Sequence, residues 1–533
     1  MRKHKITLFL YFLGFSLCAQ TWTQGIQIGG ADKEAITVMT GNAEGEVYIG
    51  GIYDGSFDWD GMEVISNGQD DLFLGCLDGS SLEWKWKITS GSSLDDAWSD
   101  IKVDQEGNLI CAGVYWVEME LGGIKLENQV GGKSIFLAKI DPNGQVLWAR
   151  SFDGTALKEM RGIDTDEDGN IFLSGYFRDQ LLLDDIILNA KGDTDAFVAR
   201  LNSNGIPQWA RSFGGRRDTR GIEVGVMEEG KLAFVGYYND TTYFDDRSLP
   251  AKTFDRDLFV TQLDSSGQVL WAKRAGGVFD EEPFDLNIDS ENNIWITGYV
   301  VGVLTVADGF STQSTNATSD LLILKYDAEG TPLVAKTYGG TEPVQATSFQ
   351  WNNDQVLFSG TYQGAVNLPS SLPSVSDGSA GFIMATDQSG QASWALSLHG
   401  HGQIFGSQLH RSSNTVWLGG TFNESLSIGN QSLNTAGGFD AFLVSLSLSP
   451  TANVKAKPDQ SLKLFPNPVS DTLFLESEQK ISHLRLEDTE GKVVFSSKEW
   501  VAQIDLSHLP IGVYFLRYEV KGQILSKVVL IQR

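Results

Sequence analysis

One tryptophan-centred phrase returns at a nearly constant interval through most of the chain. It reads "IDPNGQVLWARSFDG" from Ile140, "LNSNGIPQWARSFGG" from Leu201 and "LDSSGQVLWAKRAGG" from Leu263. Self-similarity at a fixed period is the signature of a repeat architecture, in which each copy is one supersecondary unit. Seven copies are present, with Trp86 as an alternative occupant in the second copy. The position recurs every 60 to 64 residues and is occupied by Trp22, Trp84, Trp148, Trp209, Trp271, Val334 and Trp394.

Two further phrases follow the same period and have the composition of β-strands. One is a glycine-led run such as "GNIFLSG" from Gly169, and the other is a run such as "DAFVARLN" from Asp195. Both are rich in β-branched and aromatic residues and are bounded by Gly, Asn and Asp, which is typical of strands. Signals for helix starts and ends are missing between them. Each copy therefore predicts four strands, which we call a to d, and strand d carries the tryptophan.

The order of these strands predicts an all-β fold, a seven-bladed β-propeller of four-stranded blades over residues 20–448. An isolated four-stranded sheet exposes both faces, whereas a closed ring of sheets covers them and leaves only short edges. The chain begins with a d-type strand, "TWTQGIQIGG", and the last copy ends at a c-type strand, "DAFLVSLS". We therefore expect the N-terminal strand, with Trp22, to complete the last blade and close the ring.

Residues 20–449 resemble the bacterial seven-bladed propeller repeats known as SBBP repeats. The matching pattern is a Gly-Asn-led hydrophobic run, then Asp-x-Phe-Val-Ala-Lys-Leu-Asp, then Gly-x-x-x-Trp-Ala-Lys and Gly-Gly. The resemblance implies the propeller fold and an exported protein. It implies no particular chemistry, because such repeats are common in exported proteins without an assigned activity.

The period stops at a linker, "SPTANVKAKPDQ" over residues 449–460. Strand-length runs then alternate with Gly, Pro and Asp turns over residues 461–533, a length sufficient for a small Ig-like β-sandwich. Two prolines fix a stiff entry into this domain, and a glycine near its end marks a turn or bulge. The sequence therefore predicts a second, separate all-β domain.

The phrases "LFPNP", "DTEGK" and "LPIGVYFLR" occur in this order in the domain, which by them resembles the type A C-terminal sorting domain of the type IX secretion system of Bacteroidota. The resemblance implies that the secretion machinery is a partner, and that the chain passes through the periplasm and then crosses the outer membrane. It further implies removal of the tail and attachment to surface glycolipid. An accessory sandwich that only binds is the alternative. The matching positions are Pro466, Asn467 and Pro468 in "LFPNP", Gly491 and Lys492 in "DTEGK", and Gly512 and Tyr514 in "LPIGVYFLR".

Residues 1–19 have the pattern of a signal peptide. Three basic residues precede an uncharged apolar run from Ile6 to Leu17, and cleavage is expected after Ala19. As a helix this run rises about 18 Å, well short of the ~30 Å hydrocarbon core, so we expect no transmembrane segment in the mature chain. Lipidation of Cys18 is the alternative, although the residue before it departs from the usual lipoprotein signal.

The charge of the chain excludes one class of partner. The formal net charge is −28, while residues 461–533 contain nine basic and nine acidic side chains, so the acidity belongs to the repeats. Such a body repels nucleic acid. Surface solubility explains the charge, and binding of divalent cations is the alternative. Cys76 and Cys111 lie at unlike positions of the repeat, which predicts two unpaired thiols.

Two short motifs have the residue types of metal sites. Asp164, Asp166 and Asp168 in "DTDEDGN" have the starting spacing of a calcium loop, although its twelfth position lacks the expected Glu. A tight a–b hairpin turn is the alternative, because equivalent turns lack the three carboxylates. His399 and His401 in "HGH" are candidate metal ligands, with structural or incidental roles as the alternative. Calcium apart, we expect no cofactor.

The loops indicate which face binds a ligand. The a–b and c–d turns are short and uniform, whereas the d–a loops and the long b–c connections differ between copies and lie on the opposite face. Loops that depart from the repeat are where specificity arises, so we expect a ligand on the d–a and b–c face. The alternatives are that these loops only solvate the rim and that their arginines pair with neighbouring acids rather than hold an anion or sugar acid. The candidate residues are Arg216, Arg217, Arg220, Asp280, Glu281, Glu282, His399 and His401.

These features predict an exported, non-catalytic binding scaffold, secreted or at the cell surface, whose ligand is a glycan or a protein. Signatures of sialidase-type and quinoprotein propellers fail, because Asp264, Gly267 and Trp271 are spaced one residue too far at each step and no vicinal cysteine pair is present. The alternative function is a glycan-active hydrolase. It requires two carboxylates about 5 to 10 Å apart in a funnel on one face.

Overall fold

The computed structural model describes residues 21–532 except 129, 131, 252, 316–317, 369–371, 430, 449–461, 478–480, 488–492, 511 and 521–522. The chain forms two compact units, residues 1–449 and residues 450–533. The signal peptide at 1–19, the linker at 449–460 and the sorting positions Gly491 and Lys492 lie outside the described residues.

Apart from the 3-10 turn Glu228–Gly230, the regular elements of the described residues are β-strands. The strands up to residue 154 are β1 (Trp22–Ile28), β2 (Lys33–Gly41), β3 (Glu46–Asp54), β4 (Ser56–Asp58), β5 (Glu63–Ile65), β6 (Asp71–Asp78), β7 (Trp84–Ser90), β8 (Ala97–Val103), β9 (Leu109–Trp116), β10 (Glu118–Leu121), β11 (Ile124–Glu127), β12 (Lys133–Ile140) and β13 (Val146–Gly154). The next are β14 (Lys158–Thr165), β15 (Ile171–Phe177), β16 (Gln180–Leu183), β17 (Ile186–Asn189), β18 (Asp195–Leu201), β19 (Pro207–Gly215), β20 (Thr219–Val226), β21 (Leu232–Tyr238), β22 (Thr242–Phe244), β23 (Arg247–Leu249), β24 (Asp257–Leu263) and β25 (Val269–Ala275). The first unit ends with β26 (Glu281–Ile288), β27 (Ile294–Val300), β28 (Val303–Ala307), β29 (Phe310–Gln313), β30 (Asp320–Tyr326), β31 (Pro332–Tyr338), β32 (Val344–Asn352), β33 (Gln355–Gly364), β34 (Val375–Thr386), β35 (Ala392–Leu398), β36 (Gly400–His401), β37 (Ile404–Ser412), β38 (Thr415–Phe422), β39 (Ser425–Ile428), β40 (Gln431–Asn434) and β41 (Asp440–Ser447). The second unit contains β42 (Lys463–Phe465), β43 (Thr472–Glu476), β44 (Ile481–Glu487), β45 (Val493–Ser497), β46 (Gln503–Asp505), β47 (Gly512–Val520) and β48 (Gln523–Ile531).

In the described part of the first unit, seven antiparallel sets of four strands share the order a–b–c–d. The N-terminal strand β1 supplies strand d of the last set by pairing with β41, so that Gln27 lies opposite Phe442. Each a strand contacts the a strand of the next sheet, and the last contacts the first. The series runs β2, β8, β14, β20, β26, β32, β37 and back to β2. We call the sets sheets 1 to 7: β2–β3–β6–β7, β8–β9–β12–β13, β14–β15–β18–β19, β20–β21–β24–β25, β26–β27–β30–β31, β32–β33–β34–β35 and β37–β38–β41–β1.

The apolar core lies between successive sheets. Ile110 and Leu137 of sheet 2, for example, share one buried cluster with Leu173 and Phe197 of sheet 3. Each sheet face is thus covered by its neighbour, as a stack of repeats requires. Cys76 and Cys111 are buried and free, which confirms the prediction of two unpaired thiols.

Strand register moves the tryptophan position by two residues in two copies. Trp148, Trp209 and Trp271 share one position, but its occupant is Trp86 in sheet 1, opposite Cys76, and Gln24 in sheet 7, opposite Ser445. The assignment of Trp22 and Trp84 to this position is therefore wrong, and the alternative Trp86 is the occupant in sheet 1. Trp22 and Trp84 lie on the far side of the β-bulge, at the position that Val146, Pro207 and Val269 occupy in other copies. Trp22 is nevertheless buried, and its indole N–H donates to the Ser397 carbonyl of sheet 6 at 2.9 Å.

The repeated tryptophan joins one sheet to the c–d turn of the next. The indole N–H groups of Trp86, Trp209 and Trp271 donate to the carbonyls of Pro142, Ser265 and Ala328 at 2.9, 3.1 and 3.0 Å. Each indole lies over the turn glycine of the following sheet, where a Cβ atom would collide with it. The turn and the tryptophan of the opening motif are thus partners across a sheet boundary.

The paired glycines at the end of strand d admit two close neighbours. A Cβ atom at Gly214 would overlap the buried carboxylate of Asp195, and one at Gly215 would overlap the carbonyl oxygen of Thr241. Thr241 precedes β22, which pairs with Gly214 and Gly215. The b–c connection of one sheet therefore extends onto strand d of the preceding sheet.

The same arrangement recurs where the b–c connections are described. Five of them form hairpins of two strands in addition to β22–β23: β4–β5, β10–β11, β16–β17, β28–β29 and β39–β40. The long b–c connections predicted as variable loops are thus largely β-structure. The first strands of these hairpins pair with the segment at the end of the preceding strand d, as in β16, β22 and β39. The tips of the hairpins are the parts that differ in sequence between copies.

In the second unit, the sheets β42–β43–β46 and β45–β44–β47–β48 enclose one buried apolar cluster. The side chain of Asn467 accepts the Leu530 N–H at 2.8 Å, and the Tyr514 hydroxyl donates to the Pro510 carbonyl at 3.0 Å. Pro466 and Pro468 flank this asparagine, and Gly512 begins β47. The described sorting positions are therefore built into the folded domain.

We predict that Gly215→Ala destabilises the first unit, because the new methyl group would overlap the Thr241 carbonyl. Overpacking of this kind costs about 1–3 kcal/mol of unfolding free energy. The control is Gly381→Ala, where a Cβ atom meets nothing nearer than 3.6 Å. Thermal unfolding of both variants measures the difference, and equal melting temperatures would contradict the role given to the paired glycines.

Candidate functional site

The a strands direct a set of carboxylates into the space that they surround. Each a strand has a β-bulge at the same place, and Asp100, Glu223 and Asp285 are the first paired residues after it. Bulges re-aim the side chains that follow them. Asp164 of sheet 3 lies two positions farther along its strand. Polar and charged residues from four sheets therefore meet at the centre of the ring.

Backbone N–H groups of neighbouring sheets bind three of these carboxylates. Asp100 accepts from Ile163 at 3.0 Å, Asp164 from Val226 at 2.7 Å and Asp285 from Phe349 at 3.0 Å. Each bond runs from one a strand to the next a strand. Burial raises the pKa of Asp100, Asp164 and Glu223, and it raises that of Asp285 to about 6. The carboxylates thus act as ties between sheets.

Lys102 is the cation of this inner group. Its Nζ lies 3.8 Å from Asp100 Oδ2. Burial opposes the charge of Lys102, but Asp100, Glu223 and Asp164 together raise its pKa above the ordinary value. A charged lysine surrounded by carboxylates partly neutralises the ring centre, which lowers the cost of placing several acids there.

A cleft of about 560 Å³ opens beside this group on the face of the a–b turns. It is lined by Gln105 and by the segments 164–168 and 226–230. Asp166 Oδ1 accepts the N–H groups of Asp168 at 3.1 Å and Asn170 at 2.8 Å, which is an Asx turn. Within the described residues, no group of three or more His, Cys, Asp or Glu is placed to hold a metal ion. The hydrogen bonds of Asp166 are those of a tight hairpin turn, and a calcium loop at Asp164, Asp166 and Asp168 stays a prediction.

A row of alternating tyrosines and arginines crosses sheets 3, 4 and 5 on the opposite face. Tyr176, Tyr237 and Tyr299 occupy the same register position near the end of strand b, and each follows a glycine. Arg220 Cζ lies 4.7 Å from the Tyr176 ring centroid and 5.9 Å from that of Tyr237. Arg256 Cζ lies 5.0 Å from the Tyr237 ring centroid, and its guanidinium reaches Glu282 of sheet 5. We call these five residues the Tyr–Arg row.

The two arginines of the row differ in their partners. Arg256 Nη1 donates to Glu282 Oε2 at 2.5 Å and lies 3.5 Å from the Tyr299 hydroxyl. Arg220 Nη2 lies 3.6 Å from Asp218 Oδ2, and its buried Nε has no hydrogen-bond partner among the described residues. Burial raises the pKa of the Tyr299 hydroxyl to about 12.

The structure brings together part of the predicted ligand set. Arg220 belongs to the Tyr–Arg row, Glu282 binds Arg256 of that row, and Asp280 accepts the backbone N–H of Arg256 at 2.9 Å. Arg217 stacks on Phe254 at 4.4 Å, while Arg216 is exposed and pairs with Asp240 at 3.3 Å. Pairing with neighbouring acids therefore accounts for Arg216 but leaves Arg220 incompletely bound.

Glu281 and the two histidines lie apart from this row. Glu281 is fully buried, and its carboxyl accepts the N–H of Gly277 at 3.1 Å, which fixes the base of the d–a loop. His401 lies in strand β36, which pairs with β39, and His399 directly precedes that strand; both are exposed. His410 is buried, and burial lowers its pKa to about 4. Glu281 was named as a ligand residue, but it is the first residue of β26 and its side chain is buried.

The tyrosines were the residues that sequence reasoning missed. They stand in "GYF", "GYY" and "GYV", where they read as ordinary strand residues. Alignment of the repeats by strand register would have revealed them, because the other four copies have Ile52, Val114, Thr361 and Thr421 at this position. A feature confined to three adjacent copies departs from the repeat, and such departures mark specialised surface.

Residues 463–532 match the family described as "Secretion system C-terminal sorting domain". This domain marks proteins that the type IX secretion system exports to the cell surface or the medium, and it interacts with that machinery. The prediction of a C-terminal sorting domain and of an exported protein is thereby confirmed. No helix of the described residues has the length and apolar character needed to cross a membrane.

Two curated proteins resemble parts of the chain. "Uncharacterized WD repeat-containing protein L264" of Acanthamoeba polyphaga mimivirus is 22% identical over 359 residues, which cover 54% of this chain and 26% of that protein. "Regulatory protein FlaEY" of Caulobacter vibrioides is 27% identical over 281 residues, covering 48% of this chain and 29% of that protein. The chain thus spans less than a third of the length of either relative.

Solved structures resemble the chain only distantly. PorZ, a surface component of the type IX secretion system of Porphyromonas gingivalis, has 10% identity and a TM-score of 0.32, covering 95% of this chain and 75% of PorZ. A 6-phosphogluconolactonase-like protein of Bacteroides uniformis has 9% identity and a TM-score of 0.37, covering 68% of this chain and 87% of that protein.

We predict that Glu281→Gln stabilises the protein at alkaline pH. Burial raises the pKa of Glu281 to about 9, so the folded state keeps a proton that the unfolded chain releases above about pH 4.5. Stability therefore falls as pH rises through this window, and a neutral glutamine avoids the loss. At pH 9 we expect the melting temperature to rise by about 2 °C or more. The exposed Glu167→Gln is the control, and an equal pH dependence of Glu281→Gln and the native chain would contradict the assignment.

Proposed function

We propose that this chain is an exported, non-catalytic binding scaffold, secreted or held at the cell surface, whose ligand is a glycan or a protein. In this proposal residues 20–448 are a seven-bladed propeller of the SBBP type, closed by the N-terminal strand. The observation that carries it is the Tyr–Arg row, because it breaks the repeat on the face of the variable loops of an exported protein. The sheet order and the closed contacts of the a strands support the ring.

The composition of the row suits recognition. Tyrosine and arginine are enriched where proteins bind partners, because each combines apolar area with hydrogen bonding. Exposed aromatic side chains, Phe254 at 64% and Phe279 at 51%, lie in loops of the same face. The opposite face consists of uniform turns whose side chains satisfy their own backbone. The d–a and b–c face is therefore the ligand face in this proposal.

Residues 461–533 serve as a type A sorting domain with an Ig-like sandwich fold in this proposal. The signal peptide at 1–19 delivers the chain to the periplasm, and the sorting domain carries it across the outer membrane of a Bacteroidota-type cell. Removal of the tail and attachment to glycolipid follow from the family resemblance. The folded setting of Asn467 and Tyr514 supports recognition of a shaped surface rather than of an extended peptide.

A glycan-active hydrolase remains the second candidate because carboxylates do converge at the ring centre. Glu223, whose pKa burial raises well above its usual value, would be the acid, and Asp285 the second carboxylate. The inter-sheet hydrogen bonds of Asp100, Asp164 and Asp285 favour a structural role instead. Glycan hydrolysis that disappears in Glu223→Gln would favour the hydrolase.

We predict that a chain ending at Lys455 folds but stays inside its native host, because the sorting domain that the machinery recognises is missing. Whole-cell labelling and fractionation measure surface delivery, and protease resistance of the retained protein measures folding. The full-length chain in the same host is the control. Normal surface display of the shortened chain would refute the sorting role.

We predict that a ligand found by screening the full-length chain depends on the loop face. Tyr237→Ala should weaken binding about tenfold or more, which corresponds to an interface hot spot. Asn143→Ala and Asn204→Ala, in c–d turns of the other face, are the matched controls and should leave affinity unchanged. Binding lost only in the turn variants would reverse the assignment of the faces.

A further inference from the structure

We propose that the Tyr–Arg row binds the carboxylate of an acidic sugar residue at the end of an otherwise neutral glycan. The inference rests on the proposed function and specifies its ligand. Arg220 is the residue that recognises the carboxylate, the tyrosines hold Arg220 in place, and Glu282 accepts hydrogen bonds from sugar hydroxyls.

The first argument is the incomplete coordination of Arg220. Its side chain is 28% exposed, its nearest carboxylate is 3.6 Å away, and its buried Nε lacks a partner among the described residues. Arg274 shows what a complete pair looks like, since Nε and Nη2 both donate to Asp257 at 2.8 Å. A buried donor without an acceptor is unfavourable. The buried Nε atoms of Arg150, Arg200 and Arg411 share this state, so Arg220 is distinguished by its stacking on two tyrosine rings of the loop face together with the unfilled Nε. A bound carboxylate supplies the missing acceptor in the planar geometry that a guanidinium prefers.

The second argument is that Arg220 is held ready for a ligand. The centroids of the Tyr176 and Tyr237 rings lie 4.7 and 5.9 Å from Arg220 Cζ, and strand β20 fixes the backbone of Arg220. Stacking restricts a long flexible side chain before binding, which reduces the entropy lost when the ligand arrives. Arg256 is held similarly but is already bound to Glu282. Of the two arginines of the row, Arg220 is therefore the one with a donor left for a ligand.

The third argument limits the ligand to one acidic group. The chain has a net charge of −28, and Asp218, Asp280 and Glu282 surround the row. A polyanion would meet repulsion from these acids and from the body, whereas a single carboxylate lies within one Debye length, about 8 Å, of Arg220 and Arg256. Groups beyond that carboxylate must therefore be neutral.

The fourth argument selects a sugar over an acidic peptide. The hydroxyl of Tyr299 donates to Glu282 Oε2 at 3.5 Å, and the same oxygen accepts from Arg256, so the other oxygen of Glu282 is the acceptor that a sugar hydroxyl would use. A pyranose carries hydroxyls that both donate and accept, next to its carboxylate. An acidic peptide would bring further carboxylates toward Glu282, which disfavours it electrostatically. The aromatic side chains of the face provide surface for the apolar side of a sugar ring.

The test uses the full-length chain and oligosaccharides that end in glucuronic, galacturonic or sialic acid, each beside its methyl ester. We expect at least one acid to bind, and its ester, which lacks the charge, to bind at least tenfold more weakly. Arg220→Lys should weaken binding of the acid at least tenfold because lysine cannot form the two-pronged contact. Arg150→Lys, on strand d of sheet 2, is the matched control and should retain native affinity. Thermal unfolding checks that both variants are folded.

Several results would overturn the inference. One is equal binding of acids and esters, and another is unchanged affinity in a folded Arg220→Lys variant. Binding of an Asp- and Glu-rich peptide with the same Arg220 dependence would replace the sugar by a protein ligand. A neutral glycan that needs Tyr237 but not Arg220 would refute the acidic sugar while leaving the proposed scaffold function intact. Absence of binding to any probe on this face would count against both.

Discussion

The fold depends on close backbone approach at the end of strand d. A buried carboxylate fills the space beside one glycine, as Asp195 does at Gly214, and a carbonyl of the next b–c connection fills the space beside the following glycine. In sheet 2 the carboxylate stands on the other strand. Asp153 occupies the position of the first glycine, Ser134 occupies the position of the buried aspartate, and the Ser134 hydroxyl donates to Asp153 at 2.5 Å. The contact therefore tolerates a change of residue types when volume and hydrogen bonding are preserved. The carbonyl contact joins neighbouring sheets in addition to the apolar packing between their faces.

The same contact determines where function can arise. It anchors the bases of the b–c hairpins, while buried acids such as Glu281 anchor the d–a loops at their starts. Only the loop ends and the strand positions next to them are free to differ between copies. The Tyr–Arg row occupies such positions, at the ends of strands b in three adjacent sheets. In the proposed function, the Tyr–Arg row gives an acidic body a local attraction for an anion.

Much of the architecture could be predicted from the sequence because it is repeated. Strand type follows from the composition of each copy, the N-terminal closing strand from the strand types at the two ends of the repeat, and the separate sorting domain from the point where the period stops. The tryptophan position was misplaced in two copies because Trp22 and Trp84 stand two residues before it, on the far side of a bulge that the other copies share, and "EWKWK" offers two indoles. The candidate site was predicted only in part. Arg220 and Glu282 were named, but Tyr176, Tyr237 and Tyr299 were not, since each looks like an ordinary strand residue.

The sequence by itself determined the all-β class, the period of the repeat and the export of the chain, because each is encoded in contiguous residues. Tertiary structure alone decided which side chains meet. Glu281 and Glu282 are adjacent in sequence, yet one is buried under its own loop and the other binds Arg256, because successive residues of a strand point to opposite faces. Arg220 contacts tyrosines 44 positions before it and 17 after it in the chain. Such contacts depend on how neighbouring sheets stack, and no local pattern records that stacking.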